Sequence, residues 1–352
     1  MEMVAIIGVD LAKRSFQVHG AAADGSVLFR KKLSRAQVLA FFVQQPNCTV
    51  AMEACATAHD WGRQIEALGH DVKLIPPIYV KPFVKRHKND AADAEAIAEA
   101  ASRPTMRTVV VKTHEQQSRA VLFRTRDLLL RQRTQLINAL RAHLAEFGRV
   151  APKTTTNIKS LREILEDPEN GLPKVVTDVG SIYLGQIATL TEQIGRLEKQ
   201  VRIEATRDDN ARRLQTMPGI GPITAMAVSA FAPPMEIFRR GRDFSAWVGL
   251  VPKQHSTGGK QKLGRTSKMG QRDIRRLLVI GAMSVVRMAI HKGAPEASWL
   301  QRMLARKPRM VVAIALANKM ARRLWAMLVK HEDYRDPANP HPDLRRTESP
   351  WI

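Results

Sequence analysis

The first hundred residues contain two short apolar runs that each end at an acidic residue. The run Val4 to Val9 is rich in β-branched residues and ends at Asp10, and the run Cys48 to Met52 ends at Glu53. Strands that are buried on both faces lose the usual apolar–polar alternation, so runs of this length predict buried strands. The sequence therefore predicts two interior strands with a carboxylate at the end of each.

The elements around these two strands complete an α/β pattern. Further strands are predicted at 15–19, 27–29 and 72–75, and helices at 35–44 and 57–68. Another helix is predicted to begin at Asn89 or Asp90, because Asn and Asp favour the N-cap position and an alanine-rich stretch follows. Residues 1–111 therefore predict an α/β domain.

Residues 112–209 have the pattern of long helices with little glycine, interrupted by polar residues from Pro152 to Pro173. In the second half, apolar residues recur at spacings of four and three, which is the a/d seam of a coiled coil. The seam residues are Tyr183, Ile187, Leu190, Ile194, Leu197 and Val201. The two helical halves either form an antiparallel arm within one chain or pair with another subunit, and the sequence leaves both arrangements open.

Residues 210–330 predict a mainly helical domain, with helical runs at 223–229, 274–289 and 308–330 and a loop from His255 to Gly270. The segment Leu214 to Thr224 has the pattern of a helix, a Pro-Gly-Ile-Gly turn and a second helix. This pattern is typical of a helix-hairpin-helix that clamps a nucleic-acid backbone, since Gly219 and Gly221 would allow close approach. It equally fits a tight turn between two core helices. Residues 331–352 are rich in proline and charge, which predicts a disordered tail.

The charge of the chain predicts a polyanionic partner. The 352 residues include 56 Lys and Arg against 33 Asp and Glu, a formal charge of +23, which favours counterion-release binding to DNA or RNA. No run approaches the roughly 18 uncharged apolar residues of a membrane helix, so we expect no membrane association. The acidic start of the chain lacks the basic region of a secretion signal, and two cysteines suit a reducing compartment. We therefore expect a cytoplasmic protein.

Four acidic residues have positions that suit metal chemistry. Asp10 and Glu53 end neighbouring predicted strands, and Asp90 and Asp93 share one face at the start of a helix because they are three residues apart. Clustered carboxylates without His favour Mg²⁺, with Mn²⁺ as an alternative, and two ions about 4 Å apart would clamp a phosphodiester. Each residue taken alone also fits a structural turn or cap.

A basic segment surrounds a serine near residue 256. Between Arg239 and Arg276 there are eleven Lys or Arg and two Asp, a local charge of +9. Ser256 lies before Gly258-Gly259, and a hydroxyl among cations can attack a phosphodiester because the cations stabilise the developing negative charge. The same composition is also ordinary for a loop. The predicted nucleic-acid contacts are Lys85, Arg86, Lys88, Gly219, Gly221, Lys253, Lys260, Lys262, Arg265, Lys268 and Arg272.

Six ordered blocks of the sequence together resemble the DEDD transposases of the insertion-sequence 110/1111 family. The blocks are GVDLAKRSFQVHG, VAMEACATAHDWGRQIEALGHDVKLIPP, KNDAADAEAIAEA, MPGIGPITAMAVSA, WVGLVPKQHSTGGKQKLGRTSKMGQRDIRRLL and KPRMVVAIALANKMARRLW. The resemblance extends from Met3 to about Lys330.

The resemblance implies a fold and a mechanism. It implies a RuvC-like domain of RNase H fold over 1–111, with metal-binding acids at Asp10, Glu53, Asp90 and Asp93. It also implies a coiled-coil arm over 112–209 and a transposase domain over 210–330 that carries a nucleophilic serine. Family members are recombinases that pair a noncoding bridge RNA with donor and target DNA and act as dimers or tetramers.

The position of the nucleophile departs from the family pattern. Many relatives place the serine directly before glycine, whereas here Thr257 separates Ser256 from Gly258. We expect Ser256 to be the nucleophile because a primary hydroxyl is less hindered than that of threonine, with Thr257 and Ser267 as alternatives. Two other functions compete with a recombinase: a RuvC-like junction-resolving nuclease without a serine intermediate, and a non-enzymatic architectural DNA-binding protein.

Overall fold

The computed structural model describes residues 3–85, 90–151 and 158–336. The chain divides into two compact units, Met1–Gln117 and Ser118–Ile352. The predicted division into three domains, 1–111, 112–209 and 210–330, stays a prediction, and the tail from residue 337 lies outside the described residues. In the described part of the chain, no helix combines the length and apolarity that a bilayer crossing requires.

The first unit is built on a five-stranded mixed sheet with the order β3-β2-β1-β4-β5. Its strands are β1 (Ile6–Asp10), β2 (Ser15–Ala21), β3 (Val27–Ser34), β4 (Thr49–Glu53) and β5 (Asp71–Ile75). Its helices are α1 (Val38–Val43), α2 (Ala58–Glu66), α3 (Pro77–Val80) and α4 (Asp90–Ser102). β1 is antiparallel to β2 and parallel to β4, an arrangement that is consistent with the expected RNase H fold.

Apolar side chains cover both faces of this sheet, which explains why β1 and β4 lack alternation. On one face Phe16, Phe42 and Trp61 form a core with residues of the strands. On the other face Ile97 and neighbouring alanines of α4 pack against the sheet. Burial of these side chains stabilises the layers and fixes α4 across β1 and β4.

The second unit is mainly helical. It contains α5 (His114–Ala145, which begins in the first unit), α6 (Ile158–Glu166), α7 (Lys174–Arg207), α8 (Asp209–Gln215), α9 (Pro222–Phe231), α10 (Gly241–Val248), β6 (Pro252–Gln254), β7 (Leu263–Thr266), α11 (Arg272–Lys292), α12 (Trp299–Leu304) and α13 (Arg309–Lys330). The helices at 223–229, 274–289 and 308–330 are confirmed as α9, α11 and α13. Four elements were not expected: α6 within the predicted polar interruption, β6 just before the predicted loop 255–270, β7 within that loop, and α12.

The two long helices α5 and α7 run antiparallel to each other. Arg126 forms an ion pair with Glu198, Arg133 donates to the hydroxyl of Thr191, and His143 lies 3.3 Å from the hydroxyl of Tyr183. The partner on α7 thus moves backwards as α5 advances. Ile187, Ile194 and Val201 of the predicted seam are buried. The seam therefore contacts α5 of the same chain, which favours the antiparallel arm over pairing with another subunit as its role.

Charging this seam should destabilise the protein. Replacing Leu190 and Leu197, both half-buried on α7, with Glu places two carboxylates against apolar surface. We expect the free energy of unfolding to fall by about 2–4 kcal/mol, since apolar contacts are lost and charge is desolvated. Thermal unfolding measures the effect. The matched control is Gln193→Glu with Gln200→Glu, at exposed positions of the same helix. An equal loss of unfolding free energy in the control would contradict the packing of the seam against α5.

Candidate functional site

Two acidic residues end adjacent strands at one edge of the mixed sheet. β1 and β4 are parallel neighbours with Val9 opposite Met52, and Asp10 and Glu53 are the last residues of these strands. The carboxyl ends of adjacent parallel strands form the usual place for a site in an open sheet. The structure therefore brings these two predicted residues together.

A close backbone contact brings the start of α4 towards the same edge. A Cβ added at Gly8 would lie 2.2 Å from the carbonyl oxygen of Ala94 and 2.9 Å from the Cβ of Ala98. Only glycine fits there, so α4 lies directly on β1. Asp93 precedes Ala94 in the first turn of α4, and Asp90 begins the helix, although its side chain lies outside the described residues.

The pKa of Glu53 reflects the negative charge of Asp93. Burial raises the pKa of Glu53, and the negative charge of Asp93 raises it further. Burial also raises the pKa of the Cys55 thiol, with further contributions from Glu53 and Asp10. These shifts indicate a local excess of negative charge that a cation would relieve. Cys55, one of the two cysteines of the chain, thus borders the acidic cluster.

The acids whose side chains are described do not by themselves form a closed metal site. Among the described side chains, no group of three or more His, Cys, Asp or Glu has the spacing needed to hold a metal ion. The donor chemistry nevertheless fits a divalent ion, because oxygen ligands from carboxylates are what Mg²⁺ prefers and their charges already oppose one another.

A second charged group stabilises the start of α4. Glu95 accepts from Arg30 of β3 at 2.9 Å and from Lys85 at 2.5 Å. The hydrogen bond from Lys85 is the largest cause of a lowered pKa of Glu95, and the positive charges of Lys85 and Arg30 lower this pKa further. Lys85 was predicted to contact nucleic acid; here a carboxylate compensates its charge, and the contact stays a prediction. Arg86 and Lys88 lie outside the described residues.

Ser256 lies on a two-stranded hairpin formed by β6 and β7. The peptide N–H of His255 donates to the carbonyl of Lys262 at 2.8 Å, and Thr257 and Lys260 exchange bonds of 3.3 and 3.0 Å. Gly258 and Gly259 form the turn with φ values of 54° and 75°, which the twist of a two-residue hairpin turn requires and glycine adopts without strain. The predicted glycine-flanked loop is therefore an ordered hairpin tip.

The candidate hydroxyls differ in accessibility. Ser256 is exposed, and its Oγ accepts from the N–H of Lys262 at 3.3 Å. The Oγ of Ser267 is buried and has no hydrogen-bond partner in the described part of the chain. Thr257 is exposed at the turn. An exposed hydroxyl is what attack on a DNA strand requires, so this difference favours Ser256 and Thr257 over Ser267.

The predicted cations surround the hairpin in sequence and lie at its surface. Their side chains are exposed: Lys253, Lys260, Lys262, Arg265, Lys268 and Arg272. Solvent-exposed Lys and Arg of one sign are suited to phosphate contacts.

One further arginine secures the base of the hairpin. Arg275 of α11 donates through the same nitrogen to the carbonyls of Val248 at 2.8 Å and Met269 at 3.0 Å. These two carbonyls lie on either side of the hairpin in sequence, so the guanidinium joins both of its flanks. From the sequence Arg275 is recognisable only as a positive charge, because this contact depends on the tertiary fold.

The Pro-Gly-Ile-Gly turn has one glycine packed against α11 and one exposed at the surface. A Cβ on Gly219 would lie 2.7 Å from the carbonyl oxygen of Gly281 on α11, whereas nothing lies within 4 Å of a Cβ on Gly221. Helix packing accounts for Gly219, as the alternative of a tight turn between core helices expects. Contact of Gly221 with nucleic acid stays a prediction.

The two parts of the chain that carry the acids and the serine each match a transposase family model. Residues 7–148 match that of the IS110-type DEDD transposases, and residues 211–296 match that of the transposase IS116/IS110/IS902 family. The chain is also 48% identical to a Pseudomonas aeruginosa protein named "Probable family 20 transposase", over 94% of this chain and 98% of that protein. The chain belongs to the IS110 family of transposases.

Two further relatives match over almost their whole length. The transposase for insertion sequence element IS1328 of Yersinia enterocolitica is 42% identical over 93% of this chain and 97% of that protein. The transposase for insertion sequence element IS1111A of Coxiella burnetii is 38% identical over 95% of this chain and 92% of that protein. The resemblance stated from the sequence is thereby confirmed, and the protein is a DNA transposase of the DEDD type.

Proposed function

We propose that this transposase cleaves and rejoins DNA with metal-binding carboxylates and a serine nucleophile. The observation that carries the proposal is the position of Asp10 and Glu53 at adjacent parallel strand ends, with Asp93 close enough to raise the pKa of Glu53. Such a concentration of carboxylates on a basic protein suits phosphodiester chemistry.

The acids would hold Mg²⁺, or Mn²⁺ in its place, and two ions are expected. Asp10, Glu53 and Asp93 supply described carboxylates, and Asp90 is expected to supply the fourth. The bound cations would stabilise negative charge on the phosphodiester. The chain's own contribution is to hold the carboxylates on rigid elements, since strand ends and a helix fixed by Gly8 leave little freedom.

Ser256 would carry the covalent step. Its Oγ attacks phosphorus and forms a phosphoserine ester, while the bond to one deoxyribose oxygen breaks; the serine proton is lost and the leaving oxygen gains one. Attack by a deoxyribose hydroxyl of the joining strand reverses these changes and frees the serine. The exposed cations of the hairpin would stabilise the charge that develops on the phosphate.

The proposed partners are donor and target DNA, a noncoding bridge RNA and further copies of the chain in a dimer or tetramer. Support for DNA comes from the charge of +23 and from membership of a transposase family. The bridge RNA and the oligomer follow from the family resemblance. Cleavage assays with and without the element's noncoding RNA test the RNA requirement directly.

Trapping a protein–DNA adduct tests the proposed mechanism. Stopping the reaction with denaturant should leave DNA covalently bound to the hairpin peptide. A junction-resolving nuclease would instead show Mg²⁺-dependent cutting without an adduct, and an architectural protein would show neither. Absence of an adduct under conditions that support strand exchange would contradict the serine mechanism.

Binding of nucleic acid should weaken steeply with salt. A chain of charge +23 that contacts six or more phosphates releases their counterions, so the slope of log K against log salt should be about −5 or steeper. Fluorescence anisotropy with labelled duplex DNA over a salt series measures the slope. A slope near zero would remove nucleic acid as the main partner.

A further inference from the structure

The last helices of the second unit carry positive charge beyond that of the serine hairpin. Residues 302–330, from within α12 to the end of α13, contain eight Lys or Arg and no Asp or Glu. The cations are Arg302, Arg306, Lys307, Arg309, Lys319, Arg322, Arg323 and Lys330. Solvated helices usually place acids among their cations, because oppositely charged pairs one turn apart stabilise a helix. The complete absence of acids points to a different use.

Several of these cations gather around one partly buried lysine. Lys319 is half-buried, and its Nζ lies 4.8 Å from the ring centroid of Trp299. Burial lowers the pKa of Lys319, and nearby guanidinium groups lower it further; they belong to Arg323, Arg322 and Arg302. The carboxylate of Asp336 acts in the opposite direction. The fold thus holds like charges together at an electrostatic cost.

Hydrogen bonds orient two of these groups without neutralising them. Arg302 donates to the carbonyl of Ala297 at 2.5 Å, and Arg323 donates to the hydroxyl of Tyr334 at 2.6 Å. Among the ion pairs of the described residues, none involves Arg302, Lys319 or Arg322. A neutral partner leaves the full positive charge available to an anion.

We propose that Arg302, Lys319, Arg322 and Arg323, here called the α13 cationic surface, bind the phosphate backbone of nucleic acid. The inference rests on the proposed function only in taking nucleic acid as the partner, and it adds a contact to those of the hairpin. Phosphates would relieve the repulsion among the four cations and bond to the guanidinium groups. Such contacts position a strand without reading its sequence.

The salt dependence of binding tests this surface. Lys319→Gln combined with Arg322→Gln should make the slope of log K against log salt less steep by about 2, since two phosphate contacts are lost. Binding is measured with a random-sequence DNA duplex and a random-sequence RNA of equal length. The probe whose salt slope changes shows whether this surface binds DNA or RNA. The control, Lys199→Gln with Arg202→Gln, removes the same charge from exposed positions of α7.

Each outcome decides the proposal. A wild-type slope in the test variant, or an equal change in the control, would overturn it, because charge at this surface would then have no special role. If Lys319→Gln lowers the melting temperature, Arg302→Gln with Arg322→Gln replaces it at two exposed positions. A wild-type protein whose binding ignores salt would instead contradict the proposed function itself.

Discussion

Asp10→Ala and, separately, Asp93→Ala are expected to abolish DNA cleavage. Each change removes a carboxylate from the cluster at the ends of β1 and β4, and loss of a catalytic cation costs several kcal/mol of transition-state stabilisation, a rate decrease of about 10³-fold or more. Affinity for DNA should stay unchanged or increase slightly, because the variants lose negative charge. Cleavage of labelled donor DNA in Mg²⁺ measures the effect.

Asp71→Ala is the matched control for these variants. Asp71 is an exposed acid of the same sheet, but it begins β5 and so lies at the opposite end of the strands from Glu53. It should keep full activity. A second readout is independent of catalysis: Mg²⁺ should raise the melting temperature of the wild type and of Asp71→Ala but not of Asp10→Ala, since only an intact site binds the ion. Wild-type cleavage in both Asp10→Ala and Asp93→Ala would refute the metal site.

The sign of one stability effect follows from the pKa of Glu53. Because burial and Asp93 raise this pKa in the folded state, ionised Glu53 destabilises the fold at pH values above its folded pKa, and the penalty disappears as the pH falls below its unfolded pKa. Removing Asp93 relieves part of the repulsion. With EDTA present at neutral pH, Asp93→Ala should therefore have a slightly higher melting temperature than the wild type.

Ser256→Ala is expected to lose both strand exchange and the denaturant-resistant DNA adduct. The hydroxyl supplies the only oxygen of this side chain that can bond to phosphorus, so no residual covalent product should form at this residue. Binding of DNA should persist because the cations of the hairpin remain. The hydrogen bond lost to the N–H of Lys262 is exposed and contributes little more than about 1 kcal/mol.

Peptide mapping of the adduct distinguishes the neighbouring hydroxyls. Ser267→Ala serves as the control, and it should keep the adduct because its Oγ is buried. If the DNA is found attached to Thr257, the nucleophile is Thr257 and not Ser256. If Ser256→Ala still recombines DNA fully, Ser256 is not the nucleophile, and the carboxylates alone would account for catalysis.

Sequence pattern predicted the sheet and the acidic residues because their signals are local. The runs before Asp10 and Glu53 are apolar since both faces of β1 and β4 are covered, and the strand ends follow from where those runs stop. The hairpin of β6 and β7 has no such signal, because all three residues of β6 and most of β7 are exposed. The sequence of this cation-rich segment therefore resembled that of an ordinary loop.

Sequence pattern could not predict contacts between residues that are far apart in the sequence. The bond from Lys85 to Glu95 and the two bonds of Arg275 depend on how elements pack. The short helix α12 has too few turns to show periodicity. The seam of α7 was visible because its spacing persists over several turns, but its partner became clear only from the pairs that join α7 to α5.

The contact between Gly8 and α4 sets a limit on which sequence changes a mobile element can tolerate. A single methyl group at position 8 would meet the backbone of Ala94 at 2.2 Å, and α4 would have to move outwards with Asp93 on its first turn. A copy of the gene could thus retain every acid, every cation and the serine and still encode an inactive enzyme. When copies of such an element are compared, the volume at residues 8, 94 and 98 is therefore as informative about activity as the charged residues themselves.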